Sequence, residues 1–242
     1  MNQLLNLSGK VAVVTGAAGG IGASIVTLLE EHGATTIATD VVTPAVRPKN
    51  FFTLDVRDTQ AIKELAAKVN EKYGAIDIWI NNAGYLERTT VFDITPEQYQ
   101  KTLDINLRST IFGSQAAATI MRDNQGGSIV NISSYAGLKA RPNCIDYASS
   151  KAGVSHATKS LALELGEHNI RVNCIAPGYI DTVMSSWMHK DAKLRDEYLN
   201  KIPLKRLGNP EEIAQGVLYL VSPLSSYVTG HTLIIDGGIT YA

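Results

Sequence analysis

The most constraining stretch of this chain is Thr15-Gly16-Ala17-Ala18-Gly19-Gly20-Ile21-Gly22. It joins a short apolar, β-branched run, Val11–Thr15, to a segment of helical periodicity, Ile21–Glu31, that stops at Gly33. A turn with few side chains, set between a strand and a helix, lets backbone N–H groups approach a pyrophosphate at the helix N-terminus. Glycines also make turns with no ligand, so the spacing alone leaves both readings open. The next acidic residue tips the balance. Asp40 closes a second strand-like run, Thr35–Asp40. A carboxylate there accepts hydrogen bonds from adenosine ribose hydroxyls and repels a 2′-phosphate. Together, Gly16, Gly20, Ile21, Gly22 and Asp40 point to a dinucleotide, NAD in preference to NADP. Arg47 and Lys49, in the loop that follows, are the cations that would change that preference if the loop folded back. Asp55 and Val56, at the end of the third run, fall where the adenine edge is expected.

Beyond this turn, apolar runs alternate with helical patterns. Further strands are expected at Phe51–Val56, Ile76–Asn81, Ser128–Ser133, Ile170–Ala176 and Thr232–Ile235. Helices are expected at about 59–73, 96–122, 146–167 and 210–221. The last has Asn209 as N-cap, Pro210 at its first position and Glu211 and Glu212 in its first turn. Strands this apolar are buried on both faces, the pattern of a parallel sheet between helices. The reading is α/β, one doubly wound domain over residues 1–242. Two segments depart from regular alternation. Asp40 to Phe51 carries Pro44 and Pro48 and is expected to be an irregular loop. Residues 181–203 carry an amphipathic pattern rich in Met, Trp and His, beside the expected ligand crevice.

Charge excludes other classes. The 242 residues hold 22 Lys+Arg against 23 Asp+Glu, with no basic run, which argues against nucleic acid or an anionic membrane as partner. No stretch reaches transmembrane length, and MNQLLNLSGK lacks the basic and apolar regions of a secretory signal. Cys144 and Cys174 make no CxxC or disulfide framework, so a reducing, cytoplasmic compartment is expected. The five histidines show no metal spacing, and no catalytic metal is expected.

Chemistry enters with Tyr147-Ala148-Ser149-Ser150-Lys151. Positions i and i+4 of a helix share a face, so Tyr147 and Lys151 point the same way. A tyrosine with an ordinary pKa of about 10 is a poor base at neutral pH. A neighbouring ammonium and a positively charged nicotinamide would make its phenolate accessible. Such a pair, alone, is common on protein surfaces. Here Asn81-Asn82-Ala83-Gly84 ends the fourth strand and Asn106 sits in a long helix. Ser134 follows the fifth strand, Pro177-Gly178 follows the sixth, and Thr182 lies just beyond.

In order and spacing these motifs strongly resemble the short-chain dehydrogenase/reductase family, from Gly9 to Gly238. The resemblance implies a seven-stranded Rossmann sheet, usually assembled into tetramers. It implies that Ser134 hydrogen-bonds the substrate oxygen and that Tyr147 exchanges the proton. Lys151 would bind the nicotinamide ribose and depress the tyrosine pKa, and Asn106 would hold a water of the proton relay. Asn82, Ala83, Gly84, Pro177 and Gly178 would line the cofactor cleft. Ile180, through its backbone, and Thr182 would orient the carboxamide and pyrophosphate.

Ser133, Ser149, Ser150 and Asn173 read as structural, and His156 as a packing or interface residue. Candidates for the substrate pocket are Leu86, Ala136, Leu138, Arg141, Asn143, Cys144, Tyr179, Met184, Trp187, Met188 and His189, with 181–203 as a lid. Arg141, six positions before Tyr147, can aim a guanidinium at a substrate carboxylate, although a surface ion pair is its expected role. Family members that oxidise dihydroxylated cyclohexadiene carboxylates are similar in that loop. The leading expectation is an NAD-dependent dehydrogenase or ketoreductase of a small secondary alcohol or ketone, assembled as a homotetramer. Alternatives are a diol dehydrogenase of a cyclic carboxylate, a 3-oxoacyl-carrier-protein reductase, and a catalytically silent NAD-binding regulator.

Overall fold

The computed structural model describes residues 3–44, 46–189 and 191–242; the side chains of residues 3, 187–189, 192 and 194 lie outside the described set. Its centre is a seven-stranded sheet. The strands are β1 (Val11–Thr15), β2 (Thr35–Asp40), β3 (Phe51–Thr53), β4 (Ile78–Asn81), β5 (Gly127–Ile132), β6 (Ile170–Pro177) and β7 (Thr232–Ile235). Their spatial order is β3-β2-β1-β4-β5-β6-β7, and each pair is parallel. The chain therefore winds outward from β1 to β3, then returns to the other side of β1. That reversal opens a crevice at the carboxyl ends of β1 and β4.

Side-chain alternation sorts β1 between two cores. Ala12 and Val14 pack with Ile25 and Leu29 of α1 (Gly20–Glu31) and with Ile213 and Val217 of α7 (Pro210–Val221). Val11 and Val13 pack with Ile62 and Leu65 of α2 (Thr59–Tyr73), Trp79 of β4 and Met121 of α4 (Ser109–Asp123). Both faces are dry, as the unbroken apolar runs require. The helix caps follow the sequence signals. Asp58 accepts from the N–H groups of Gln60 and Ala61 at α2, and Glu212 closes a capping box on Asn209 at α7.

Three expected elements are corrected, besides one-residue shifts of β5 and at the end of β6. β3 ends at Thr53, because the Asp55 carboxylate takes the Arg57 N–H and turns the chain toward the Asp58 cap. β4 starts at Ile78, because the Asp77 side chain, not backbone, receives the Val11 N–H. The expected helix 96–122 is broken into α3 (Pro96–Leu103), a π turn (Asp104–Arg108) and α4. Ser109 N–H reaches back to Asp104 carbonyl across that turn. The hydroxyls of Ser109 and Thr110 donate to the carbonyls of Ile105 (2.5 Å) and Asn106 (2.9 Å), so the wider turn leaves these two acceptors satisfied.

The described residues between Asp40 and Phe51 form no helix, as the prolines dictate. Arg47 folds onto β3, donating to the Phe51 carbonyl at 3.1 Å and lying over the Phe51 ring. Residues 181–203 contain a 3₁₀ segment (Val183–His189) and α6 (Ala192–Asn200). A bridge between Ile180 and Gly208 fixes one end, and buried Ile202 plugs the other.

Behind the crevice lies a buried amide chain. Trp79 Nε1 donates to Asn81 Oδ1 at 2.8 Å, and Asn81 Nδ2 donates to Asn131 Oδ1 at 2.8 Å and Ser114 Oγ at 3.0 Å. Asn131 Nδ2 continues to Thr158 Oγ1 at 2.9 Å, on α5 (Ile145–Leu165). Every member is buried, so each lost partner strands a polar group. Asn131→Ala is expected to lower stability by about 1–3 kcal/mol in urea unfolding; an unchanged midpoint would show that the chain of amides contributes nothing.

Candidate active site

The glycine turn is shaped by what stands against it. Gly16 has φ +65°, and a Cβ there would lie 2.7 Å from the Cα of Ala83. A Cβ on Gly22 would strike the Gly16 carbonyl. The turn therefore presses directly on the end of β4. Asn82 Nδ2 clamps it, donating to the carbonyls of Thr15 (3.0 Å) and Gly16 (2.8 Å). Thr15 Oγ1 returns the link, accepting from the N–H groups of Asn82 and Ala83. Gly19 caps α1 with no side-chain bond, which leaves first-turn N–H groups for an anion. Asp40 Oδ2 accepts from Ala18 N–H at 2.9 Å and Oδ1 from Val42 N–H at 3.1 Å. A carboxylate has about four acceptor sites, so capacity remains for hydroxyls.

A cleft of about 520 Å³ runs from this turn across the sheet. Gly16, Gly20, Ile21, Gly22 and Asp40 line one end, with Asp55 and Val56 beside them. Asn82, Ala83, Gly84, Pro177, Gly178, Ile180 and Thr182 line its middle. Ser134, Tyr147 and Lys151 meet at the other end, with Leu86, Arg141, Tyr179 and Met184. The Thr182 methyl lies 3.3 Å from where a Gly20 Cβ would be, so the segment after β6 folds back over the turn. Ser185 holds it there, its hydroxyl accepting from Thr182 N–H at 2.9 Å and donating to the Ile180 carbonyl at 2.7 Å.

The polar residues are placed with care at the far end. Ser134 continues β5 in extended conformation, and its Oγ accepts from Ala136 N–H at 3.1 Å. The hydroxyl hydrogen remains to donate, and the Tyr147 phenol oxygen is within its reach. Gly137 brings the short turn after Ser134 against α5, since a Cβ there would meet the Lys151 carbonyl carbon at 2.6 Å. Lys151 Nζ donates to the Ile132 carbonyl at 2.8 Å and lies 5.8 Å from the centre of the Tyr147 ring. Burial brings the Lys151 pKa down to about 8. Burial also pushes Tyr147 up, against the opposing influence of the Ser134 hydroxyl and the Arg141 charge. In the protein alone, burial therefore outweighs the influences that favour the phenolate.

Asn106 stands just behind this group, on the π turn and fully buried. Its Oδ1 accepts from Tyr85 N–H at 2.7 Å, and its Nδ2 donates to Tyr85 carbonyl at 2.9 Å and Ser150 Oγ at 3.0 Å. The amide thereby ties the loop after Gly84 to α5, and its oxygen keeps one acceptor site. A Cβ on Gly84 would lie 3.6 Å from Lys151 Nζ and 3.7 Å from Asn106 Oδ1, so these groups share one spot.

Other expectations divide. Ser133 bonds the Lys151 carbonyl and Ser155, and Asn173 ties β6 to Val228 and His231, both structural as read. Ser150 does more than pack, because it receives Asn106. Ala136 and Cys144 do not line the cleft; they are buried behind Tyr147 with Leu86 and Ala148. Leu138 and Asn143 are exposed outside it. The side chains of Trp187, Met188 and His189 lie outside the described residues. Arg141 forms no ion pair among the described residues; its guanidinium lies over Tyr179 and Tyr135 in the cleft. Sequence reasoning missed Tyr135, Arg57 and Arg88 as lining residues. Tyr135 adjoins Ser134 and was readable by adjacency. Arg57 pairs with Asp55 at 2.5 Å and lowers its pKa.

The match to known proteins is extensive. A family model described as enoyl-(acyl carrier protein) reductase matches residues 16–240. The chain is 40% identical to the 3-oxoacyl-[acyl-carrier-protein] reductase of Thermotoga maritima, over 97% of this chain and 99% of that protein. It belongs to the short-chain dehydrogenase/reductase family. The 3alpha-hydroxysteroid dehydrogenase of Mediterraneibacter gnavus is 38% identical, covering 97% of this chain and 98% of that one. The 2,3-dihydro-2,3-dihydroxybenzoate dehydrogenase of Bacillus subtilis is 36% identical, covering 97% of each. The crystal structure of a short-chain type dehydrogenase/reductase from Mycobacterium marinum superposes with a TM-score of 0.91 at 34% identity, over 99% of this chain and 98% of that one. Members bind a nicotinamide cofactor and act as oxidoreductases of CH–OH and keto groups. No described helix is long and apolar enough to cross a membrane.

The clamp between the turn and β4 makes a test of the cofactor end. Gly16→Val is expected to weaken nicotinamide-dinucleotide binding by at least about tenfold, read by cofactor fluorescence titration, with the far-ultraviolet dichroism of the parent. Unchanged affinity would place the cofactor elsewhere.

Proposed function

We propose that this dehydrogenase interconverts a small secondary alcohol and its ketone with NAD, using Tyr147 as acid and base. The observation that carries the reading is the meeting of Ser134, Tyr147 and Lys151 at one end of a cleft whose other end is the Asp40-braced glycine turn. The residues fit a dinucleotide: uncapped N–H groups at α1, a turn with no room for Cβ atoms, and a carboxylate beside it. Bound there, the nicotinamide supplies or accepts the hydride. The first turn of α1 and Thr182 hold the pyrophosphate, and Asp40 takes the adenosine ribose hydroxyls. Asp40 and the neutral Val41–Val42 that follow favour NAD over NADP, and Arg47, turned onto Phe51, offers no counter-charge. Arg57 is occupied by Asp55.

At the reacting end, Ser134 donates its hydroxyl hydrogen to the substrate oxygen. Tyr147 gives its proton to that oxygen in reduction and takes it in oxidation. Lys151, held at the Ile132 carbonyl, favours the phenolate through its charge. Asn106 fixes the loop bearing Gly84 and so the position of Lys151; its part in a water relay belongs to this proposal. Residues 181–203 serve as the substrate lid of a single domain over 1–242. A cytoplasmic homotetramer completes the reading, since Ile111 and Leu163 expose apolar surface on α4 and α5, and Tyr241 does so near the C-terminus. Small molecules are its partners, neither nucleic acid nor membrane.

A second reading, reduction of a carrier-bound 3-oxoacyl chain, is supported by the name of the Thermotoga maritima relative. The near-neutral charge and Asp40 weigh against it.

Tyr147→Phe is expected to lower kcat/KM by at least about 10³-fold while cofactor affinity persists. Because burial raises the Tyr147 pKa, the phenol predominates at neutral pH. Between about pH 6 and 9, alcohol oxidation should therefore rise with pH, while ketone reduction, which uses the phenol, stays nearly level. Substantial turnover by Tyr147→Phe would sink the assignment. Asp40→Asn keeps an acceptor and removes the charge, and is expected to lower the NAD-to-NADP ratio of kcat/KM by about tenfold or more. An unchanged ratio would remove Asp40 from cofactor choice.

A further inference from the structure

Three tyrosines form a row at the reacting end of the cleft. Tyr135 and Tyr179 lie 5.2 Å apart between ring centres at 57°, and Tyr179 and Tyr198 lie 5.2 Å apart, edge to face at 82°. Arg141 covers this row, its guanidinium carbon 5.2 Å from the Tyr179 ring centre and 6.0 Å from that of Tyr135. The loop that bears Arg141 is tied to the loop that bears Arg88 by a bond from Thr89 N–H to the Asn143 carbonyl, 3.1 Å long. Arg88 lies 6.0 Å from the Tyr198 ring centre, so a second guanidinium faces the same aromatic row and the same cleft.

Contact with phenol rings does not use up the five N–H donors of a guanidinium. Among the described residues none of the five finds an acceptor, and no carboxylate pairs with Arg141, although the side chain is half-buried. A half-buried cation with an unused planar fork calls for an anion from outside the chain. The rings beneath it supply no counter-charge, because burial pushes Tyr135 and Tyr179 above the ordinary tyrosine range. The Arg141 charge also bears on Tyr147, so the site it commands adjoins the proton-exchanging group.

We infer that Arg141 is the receptor for a carboxylate on the substrate, seated over the Tyr135–Tyr179 pair and close to the carbinol that Tyr147 serves. A carboxylate fits better than a phosphate. It is flat and carries one charge, so it can lie along the Tyr135 and Tyr179 rings and meet the single guanidinium with two parallel bonds. The substrate class is then a hydroxy or oxo acid, or a ring diol bearing a carboxylate, in place of a neutral alcohol. This rests on the dehydrogenase reading above, because it places the anion on the molecule that is turned over.

The test measures binding separately from turnover. Benzoate, benzamide and phenyl phosphate are titrated by calorimetry into NAD-saturated protein, for the parent, Arg141→Met and Arg141→Lys. The parent is expected to bind benzoate at least about tenfold more tightly than benzamide. Arg141→Met should bring that ratio close to one, and Arg141→Lys, which keeps the charge without the fork, should fall between. Equal binding of the acid and the amide by the parent overturns the proposal. So does a ratio that survives in Arg141→Met, a preference for phenyl phosphate, or failure of benzoate to bind. Turnover of 3-hydroxybutyrate against its amide gives the separate readout. Benzoate selectivity that depends on Arg141, in a protein that turns over no alcohol, would sink the dehydrogenase reading and leave the anion site standing.

Discussion

One side-chain amide joins the two halves of this fold. Asn82, at the end of β4, holds the carbonyls of Thr15 and Gly16, at the end of β1. These strands are neighbours in space although two other strands separate them in sequence. The crevice of a doubly wound sheet opens where the winding reverses, and here that point is clamped by named bonds. The tight fit forces glycine at Gly16 and Gly22. It also sets where α1 begins, and hence where an anion can be received. The cofactor end of the cleft depends on that contact more than on any residue that would touch the cofactor.

The reacting end is built on a different principle. Lys151, Tyr147, Ser134 and Asn106 are all buried, and burial opposes charge. The lysine is held below its ordinary pKa and the tyrosine above its own. In the protein alone burial keeps the Tyr147 phenolate scarce, while Lys151, at about 8, still carries most of its charge at neutral pH. Backbone carbonyls and amides, such as those of Ile132 and Tyr85, keep the polar groups satisfied meanwhile. Such sites are stable enough to persist only because the surrounding sheet and helices over-determine them.

The sheet was legible in the sequence because its strands are apolar on both faces, and the period and length of such runs leave few alternatives. β1, β2 and β7 begin and end where the runs do. The shifts of β3 and β4 share one cause: a side chain, Asp55 or Asp77, takes over a bond that backbone was expected to make. The cofactor end was readable because Asp40 and the glycines lie close in sequence. The substrate end was not. Tyr135, Arg88 and Tyr198 come from three distant segments, and nothing local shows that they form one row. Arg141 was visible as an arginine near Tyr147, but periodicity carries no information about whether a partner is present. Only the surroundings reveal a cation with no acid beside it among the described residues.

The π turn at Asp104–Arg108 has a consequence for how the chain tolerates length change. A regular α-helix advances about 100° per residue, so one residue added or removed rotates everything beyond it by that angle. α3 and α4 are thus two amphipathic faces set out of phase, and a single pattern laid over 96–122 finds apolar residues on more than one side. Thr102 faces Asp146 of α5 while Ala116, Ala117 and Ala118 still reach the core, because the wide turn absorbs the offset. The loss of one residue there would not merely shorten a helix. It would make the loop after Gly84 and the core under α4 compete for the same rotation, so that seating one would unseat the other.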